Sequence, residues 1–345
     1  MQIIAIIMGL AAGLLFGIAT PLSKLTLSHL NSFQLAGLLY LGASIAFLPY
    51  MIINKSKKLV LLNTKGTKKH LIGIVLFGGL LGPLFLMVGL KSANSMSVSI
   101  WLNMELVATA LLGVIIFKES LGRYTLLGII FTLLSSIVIC SQENSSGIIS
   151  ALFIILACIC WGVDNHLTAI IDGITPQATT FIKGLFGGTV NLMIGMFLSG
   201  NKIEIQYIGI GLLIGVFSYG ISIFLYVTSA QNLGATRSQI LFSSSTFWGI
   251  IAAYLFLREK FSFITIIAFI LLFIGIIFSN KISHKHSHFH SRMVHIHMHT
   301  HDDDHHNHSH GENFDTHTKH SHIHEHDEIT HEHSHYPDMH HRHEH

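Results

Sequence analysis

The chain has 345 residues, half of them hydrophobic and only 11% charged, with 27 histidines and a formal net charge of +2. A water-facing surface ordinarily carries charged residues at about a quarter of its composition, so this balance excludes most soluble enzymes. The average also conceals two unlike stretches. Residues 1–283 carry 16 Lys+Arg and 7 Asp+Glu, net +9, whereas 284–345 carry 4 and 11, net −7, and hold 24 of the histidines.

Apolar runs of about 18 or more residues, nearly free of charge and separated by short polar breaks, mark helices that cross a hydrocarbon layer of about 30 Å. Ten such runs follow in order, at 3–20, 33–53, 71–90, 98–117, 124–140, 148–171, 178–198, 207–230, 238–257 and 263–279. Their apolar character is continuous rather than alternating, which predicts helices and not barrel strands, because each backbone amide in lipid needs a partner within its own segment. The first run lacks a basic leader and a clear small-residue cleavage site, and is expected to be retained. Pro21 is expected to end it. Pro83 is expected to interrupt the third run just after the Gly-Gly-Leu-Leu-Gly stretch at 78–82, and broken spans often border transport sites. Cys140, Cys158 and Cys160 all fall inside runs, where packing is the expected role and a structural disulfide is not.

Orientation is read from Lys and Arg in short loops. Residues 54–70 hold Lys55, Lys57, Lys58, Lys65, Lys68 and Lys69, which predicts a cytoplasmic loop and a cytoplasmic amino terminus. Ten crossings return the carboxyl terminus to the same side. The predicted location is the plasma membrane, the inner membrane in a bacterium, with multiple passes.

The body is also written twice. Residues 16–23 (FGIATPLS) align with 161–168 (WGVDNHLT), pairing Phe16 with Trp161 and Gly17 with Gly162; residues 115–122 (IIFKESLG) align with 255–262 (LFLREKFS), pairing Glu119 with Glu259. One motif opens each five-span half and the other follows its fourth span. Five is odd, so the second copy enters the membrane from the opposite side. Such inverted repeats are common in secondary transporters, whose substrate site lies near the midplane between the repeats. On these motifs the chain resembles the drug/metabolite transporter superfamily, specifically its members with paired EamA domains. The resemblance covers 3–279 and implies a transporter of small organic solutes, often an exporter of amino acids, metabolites or toxic compounds. Where that family carries Glu-Pro in its fourth span, this chain has Glu105-Leu106, and the matching stretch of the second half reads Ser245-Thr246.

Several charges sit where lipid would penalise them. Glu105 is near the middle of span four, Lys183 is inside span seven, and Asp164 is inside span six beside Asn165 and His166. An ionised side chain at the centre of a span costs about 2.5–3.5 kcal/mol on insertion scales, so such residues face a bundle interior or a cavity. These five are the candidates for a substrate or proton pathway, with Glu105 or Asp164 as the carrier of a proton or cationic group. Three readings compete: a buried carboxylate–lysine pair that only fixes packing, a Lys183 that snorkels to an interface, and a His166 that is simply hydrogen-bonded. Trp161 and Trp101 are candidates to line the path, with packing as the alternative. Glu119 and Glu259 flank span ends, where a structural or gating role is expected.

From residue 284 the chain becomes alternating histidine: His284, His286, His288 and His290; His295, His297, His299 and His301; His320, His322, His324 and His326; His331, His333 and His335. In an extended chain, residues two apart lie on one side about 6.5–7 Å apart, so neighbouring imidazoles can converge on one ion. Imidazole suits Zn, Ni, Co and Cu(II), and the interspersed carboxylates add oxygen ligands. The expectation is exchangeable, multisite metal binding in a disordered tail.

The fold class read from the sequence is therefore an all-α integral membrane protein, with ten transmembrane helices in two inverted five-helix repeats (3–140 and 148–279) and a disordered His-rich tail (284–345). The expected function is a secondary transporter, an exporter of a small organic solute or metabolite, with a metal-binding cytoplasmic tail. Its expected partners are the bilayer, the solute and transition-metal ions; no cofactor is required, no nucleic acid is involved, and a homodimer is left open. Two alternatives also stay open, a transporter of the divalent cation itself and a non-transporting metal sensor. No nucleotide-binding loop, nucleophile–base pair or Cys-based zinc motif occurs, which speaks against primary pumping and enzymatic activity.

Overall fold

The computed structural model describes residues 2–53, 67–116, 122–171, 174–199 and 203–279 and, in the tail, 286–290, 293–299, 320–326 and 329–333. The helical body and the tail are separate compact units. The predicted loop lysines at 55–65, Glu119, His284, His301 and His335 lie outside the described residues.

Each apolar run closes its backbone hydrogen bonds internally as a helix. In the first half these are α1 (Gln2–Thr26), α2 (Ser32–Ile53), α3 (Thr67–Gly73) continued by a π-helical stretch Ile74–Leu81 into α4 (Gly82–Leu90), α5 (Ser95–Trp101) with α6 (Met104–Ile115), and α7 (Arg123–Cys140). The second half has α8 (Ser145–Ile170), α9 (Pro176–Leu198), α10 (Ile205–Ile214) continued by a π-helical stretch Gly215–Ile221 into α11 (Ser222–Leu233), α12 (Ala235–Phe242) with α13 (Ser245–Leu257), and α14 (Phe263–Ser279). The irregularities recur at matching places. In both halves the third span carries a π-helical stretch and the fourth is broken in its middle, so the duplication extends from motifs to backbone defects.

Among the described residues nine segments are long and apolar enough to cross a membrane; α14, with 17 residues, is a shorter tenth. Large apolar side chains such as Ile137, Phe197, Leu255 and Phe263 lie on the outside, while Thr20, Gln34, Asn103 and Asn191 are buried. That distribution suits a lipid-facing surface, where apolar groups meet apolar solvent.

Two sequence expectations change here. Pro21 does not end span one, since α1 continues to Thr26; a proline is tolerated inside such a helix where neighbouring groups satisfy the freed carbonyl. Pro83 does mark a break, but the interruption is the π-helical stretch ahead of it rather than a stop. Side chains cap the carbonyls of that stretch, Tyr40 Oη donating to Gly78 O at 2.5 Å and Asn191 Nδ2 to Leu80 O at 3.1 Å.

The halves interlock, α1 packing on α13, α8 on α6, and α2 on α9. The duplicated aromatic-Gly motif has its physical explanation in these crossings. A Cβ on Gly17 would strike the Ser245 carbonyl and the Gly249 backbone of α13, and one on Gly162 would press on Thr109 N and Ala108 C of α6. Close helix approach in lipid depends on small residues at the crossing.

In the tail, β1 (His286–His290) pairs antiparallel with β4 (Ile329–His333), and β2 (Met293–His299) with β3 (His320–His326).

Candidate functional site

The breaks in spans four and nine place the site. Asn103, at the break before α6, donates from Nδ2 to Thr246 Oγ1 of α13, and Thr246 Oγ1 donates to Ser99 O at 2.8 Å. Hydrogen bonds thus tie the two broken spans together across the repeats. Just past this tie, Glu105 occupies the first turn of α6, where the helix dipole favours a carboxylate.

Glu105 opens onto a cavity of about 40 Å³ bounded by both repeats: Phe16 of α1, Tyr40 of α2, Trp161, Asp164 and Asn165 of α8, Lys183 of α9, Ile223 and Tyr226 of α11, and Phe242 of α12. Two polar clusters meet there. In one, Lys183 Nζ stands 2.6 Å from Asp164 Oδ2, with both side chains almost fully buried, and Thr168 Oγ1 donates to Asp164 Oδ1 at 3.4 Å. In the other, Asn165 Nδ2 lies 2.9 Å from Glu105 Oε1, 3.2 Å from Thr109 Oγ1 and 3.3 Å from Gln239 Oε1. The lysine of the cavity therefore pairs with Asp164, while Glu105 is met by the neutral amide of Asn165.

The ion pair fits because glycines stand beside it, Gly78 and Gly79 in the π-helical stretch and Gly82 at the start of α4. A side chain at Gly78 would overlap the Asp164 carboxylate, one at Gly79 would meet Lys183, and one at Gly82 would meet the Trp161 indole. Aromatic rings form the remaining wall. Phe16 makes edge contacts with Trp161 at 5.9 Å and Tyr219 at 5.5 Å, and Phe242 packs on both Phe16 and Tyr226 at 5.1 Å. The hydroxyls of Tyr219 and Tyr226 are buried without a hydrogen-bond partner among the described residues. An unpaired buried hydroxyl costs about 1–3 kcal/mol, and that of Tyr226, which lines the cavity, is an available donor or acceptor for a polar solute.

The structure thus brings Glu105, Asp164, Asn165, Lys183 and Trp161 to one cavity. His166 is fully buried beside it but faces α6, with Nε2 2.8 Å from Thr109 O. Trp101 does not line the cavity; its indole N–H donates to Ser136 O of α7 at 3.3 Å. Tyr40, Tyr226, Phe242 and Gln239 were missed from sequence. A usable signal was present, since a phenol within an apolar run carries a polar tip that needs a partner.

Glu259 sits apart from the cavity, at a span end. Its carboxylate accepts from Ser95 N at 2.8 Å and Met96 N at 2.9 Å, capping α5 of the other repeat. Nearby, Lys24 Nζ donates to the carbonyls of Leu90, Lys91 and Ala93 at 2.7–3.0 Å, closing the end of α4. Glu259→Ala should lower stability by about 1–2 kcal/mol, the usual cost of a lost cap, and Glu259→Gln by less. Thermal unfolding in detergent checks this; equal melting of all three proteins would remove the capping role.

A bundle of apolar helices in two repeats around a polar cavity defines a multi-pass membrane transporter. The chain belongs to the EamA-like transporter family, whose model matches residues 3–141 and 148–281. It is 27% identical over 288 residues to an uncharacterized transporter of Methanothermobacter thermautotrophicus (strain Delta H), a match covering 77% of this chain and 83% of that protein. A solved crystal structure superposes with a TM-score of 0.62 at 14% identity, covering 80% of this chain and 96% of its own, which shows the shared fold.

Proposed function

We propose that this transporter moves a small organic solute bearing a cationic group, exporting it across the plasma membrane, with both termini and the His-rich tail on the cytoplasmic side. The observation that carries the reading is Glu105, a buried carboxylate facing an aromatic-walled cavity while the adjacent lysine is engaged by Asp164. A carboxylate shut away from water requires a proton or a cation. Aromatic faces add cation–π attraction of about 0.5–2 kcal/mol per good contact, and the Asp164–Lys183 pair offers a second point of attachment to a solute that also carries an anionic group. The cavity has room for only a few waters, so admitting a metabolite requires the repeats to part, as alternating access demands.

Among the described residues no group of three or more His, Cys, Asp or Glu side chains is placed to hold a metal ion. The body is read as the path of the organic solute because its cavity is built around Glu105 and aromatic walls, and the tail is read as the metal-binding element on its alternating histidines. Cells expressing the full chain should gain tolerance to some members of a panel of toxic amines and amino-acid analogues. Glu105→Gln should abolish that tolerance while leaving the melting temperature within a few degrees of the parent. Equal transport by Glu105→Gln across pH 6 to 8 would remove Glu105 from the mechanism. For the tail, a chain ending at Ser283 should differ from the full chain in tolerance and accumulation of Zn, Ni, Co or Cu; unchanged behaviour in all four would end its metal role.

A further inference from the structure

The amide of Asn165 is over-subscribed. Its Nδ2 carries two hydrogens, yet three acceptors stand around it: Glu105 Oε1 at 2.9 Å, Thr109 Oγ1 at 3.2 Å and Gln239 Oε1 at 3.3 Å. All four side chains are buried, where a hydrogen bond counts for more than it does in water. At any moment one acceptor goes short or shares.

The acceptors belong to different parts of the fold. Glu105 and Thr109 are on α6, in the first repeat, whereas Asn165 and Gln239 are on α8 and α12, both in the second. A bond from Asn165 to Glu105 therefore joins the repeats, and one to Gln239 stays within a repeat. While it is charged, the carboxylate is the preferred acceptor, because charge-assisted hydrogen bonds are about twice as strong as neutral ones; its contact is also the shortest of the three. Thr109 and Gln239 then compete for the second hydrogen. The other charges of the cavity, Asp164 and Lys183, are occupied with each other at 2.6 Å, which leaves Glu105 as the charge that sets the choice.

We infer that Asn165 and Gln239 are positioning residues that couple the charge on Glu105 to the grip of one repeat on the other. A cationic group seated on Glu105 takes up the negative charge that held the Asn165 amide. The two hydrogens then serve Thr109 and Gln239, so the strong bond between the repeats gives way to a neutral one and the bond within the second repeat is filled. The second repeat becomes a tighter body, and the two repeats are freer to part around the solute, as alternating access requires. The exchange reverses when the cation leaves. This inference rests on the reading of Glu105 as the cation site, and adds how occupation of that site reaches the helices.

The test follows backbone amide exchange by mass spectrometry in the full chain in detergent, since exchange reports local opening, with Glu105→Gln standing for the neutralised carboxylate. Loss of the charged acceptor should speed exchange in α6 about five-fold. Exchange in α5, the other half of the same span, whose first amides are held by Glu259, should stay at the parent rate. The second variant, Gln239→Met, is close in size and lacks the amide. In the parent it should speed exchange in α12 about two-fold at most, because the hydrogen is engaged by Glu105; in the Glu105→Gln background it should do so about five-fold, because Gln239 has become a full acceptor. Such dependence of one substitution on the other is the mark of the hand-over. A side chain that merely packs gives the same factor in both backgrounds, and that result would overturn the inference, as would unchanged α6 exchange in Glu105→Gln or an equal rise in α5 and α6. Tolerance to the amine panel, measured alongside, keeps the two levels apart: equal factors with tolerance lost in Glu105→Gln defeat the coupling alone, whereas tolerance retained by Glu105→Gln defeats the reading of Glu105 as the cation site.

Discussion

Lys183→Met should destabilise the helical body by about 3–5 kcal/mol, the cost of leaving one member of a buried ion pair without its partner. Both side chains of the pair are almost completely buried, the 2.6 Å contact is direct, and the Thr168 hydroxyl donates to Asp164 only at 3.4 Å. Gly78 brings backbone against the carboxylate, which leaves little space for water to replace the ammonium. The double variant Asp164→Asn/Lys183→Met removes both charges and should recover most of the loss, because a neutral amide needs far less solvation than a carboxylate. The readout is thermal unfolding of the full chain in detergent. If single and double variants melt at the same temperature, the pair is not what holds α8 to α9 at this level. Transport should be lost in both, so stability and activity separate the structural role of the pair from its contact with solute.

Gly17→Leu should prevent the body from assembling, and Gly162→Leu should do nearly as much. At Gly17 the nearest facing atom is the Ser245 carbonyl, and at Gly162 the backbone of Thr109 and Ala108 stands behind the tip of Leu112; backbone cannot swing aside as a side chain can. Overpacking a well-filled interior costs about 1–3 kcal/mol even where side chains yield. Gly17→Ala should therefore fall at or above that range and Gly17→Leu beyond what the fold tolerates. Gly209 is the internal control, since nothing lies within 4 Å of an added Cβ; Gly209→Ala should be neutral or stabilising by up to about 1 kcal/mol. Recovery of monodisperse protein after detergent extraction measures all four variants. A normal yield of Gly17→Leu would show that α1 and α13 do not approach as closely as described.

Much of the architecture was legible in the residues because lipid imposes few choices. A run of apolar residues with no alternation has one way to satisfy its backbone, so the spans, their number to within the short α14, and the two-repeat plan followed directly. The duplicated motifs were legible as well, although their reason was not: that Gly17 and Gly162 serve helix crossings depends on which span lies opposite. The π-helical stretch in span eight carries no proline to announce it, and Pro21, which resembled a terminator, lies within a helix.

The candidate site divides in the same way. Composition and position along the chain determined that Glu105, Asp164 and Lys183 must avoid lipid, because the cost of an ionised group in hydrocarbon does not depend on the fold. Only the tertiary structure decided which charge is neutralised by which. It seated Lys183 on Asp164 and gave Glu105 an amide, turned Trp101 toward α7 and His166 toward α6, and supplied Tyr40, Tyr226 and Phe242 as walls. The physical reason is that desolvation acts on each residue separately, whereas pairing acts between residues tens of positions apart and is set by helix packing. The tail shows both levels: the alternation of its histidines is local and readable, while the pairing of β1 with β4 and of β2 with β3 exists only in the tertiary structure.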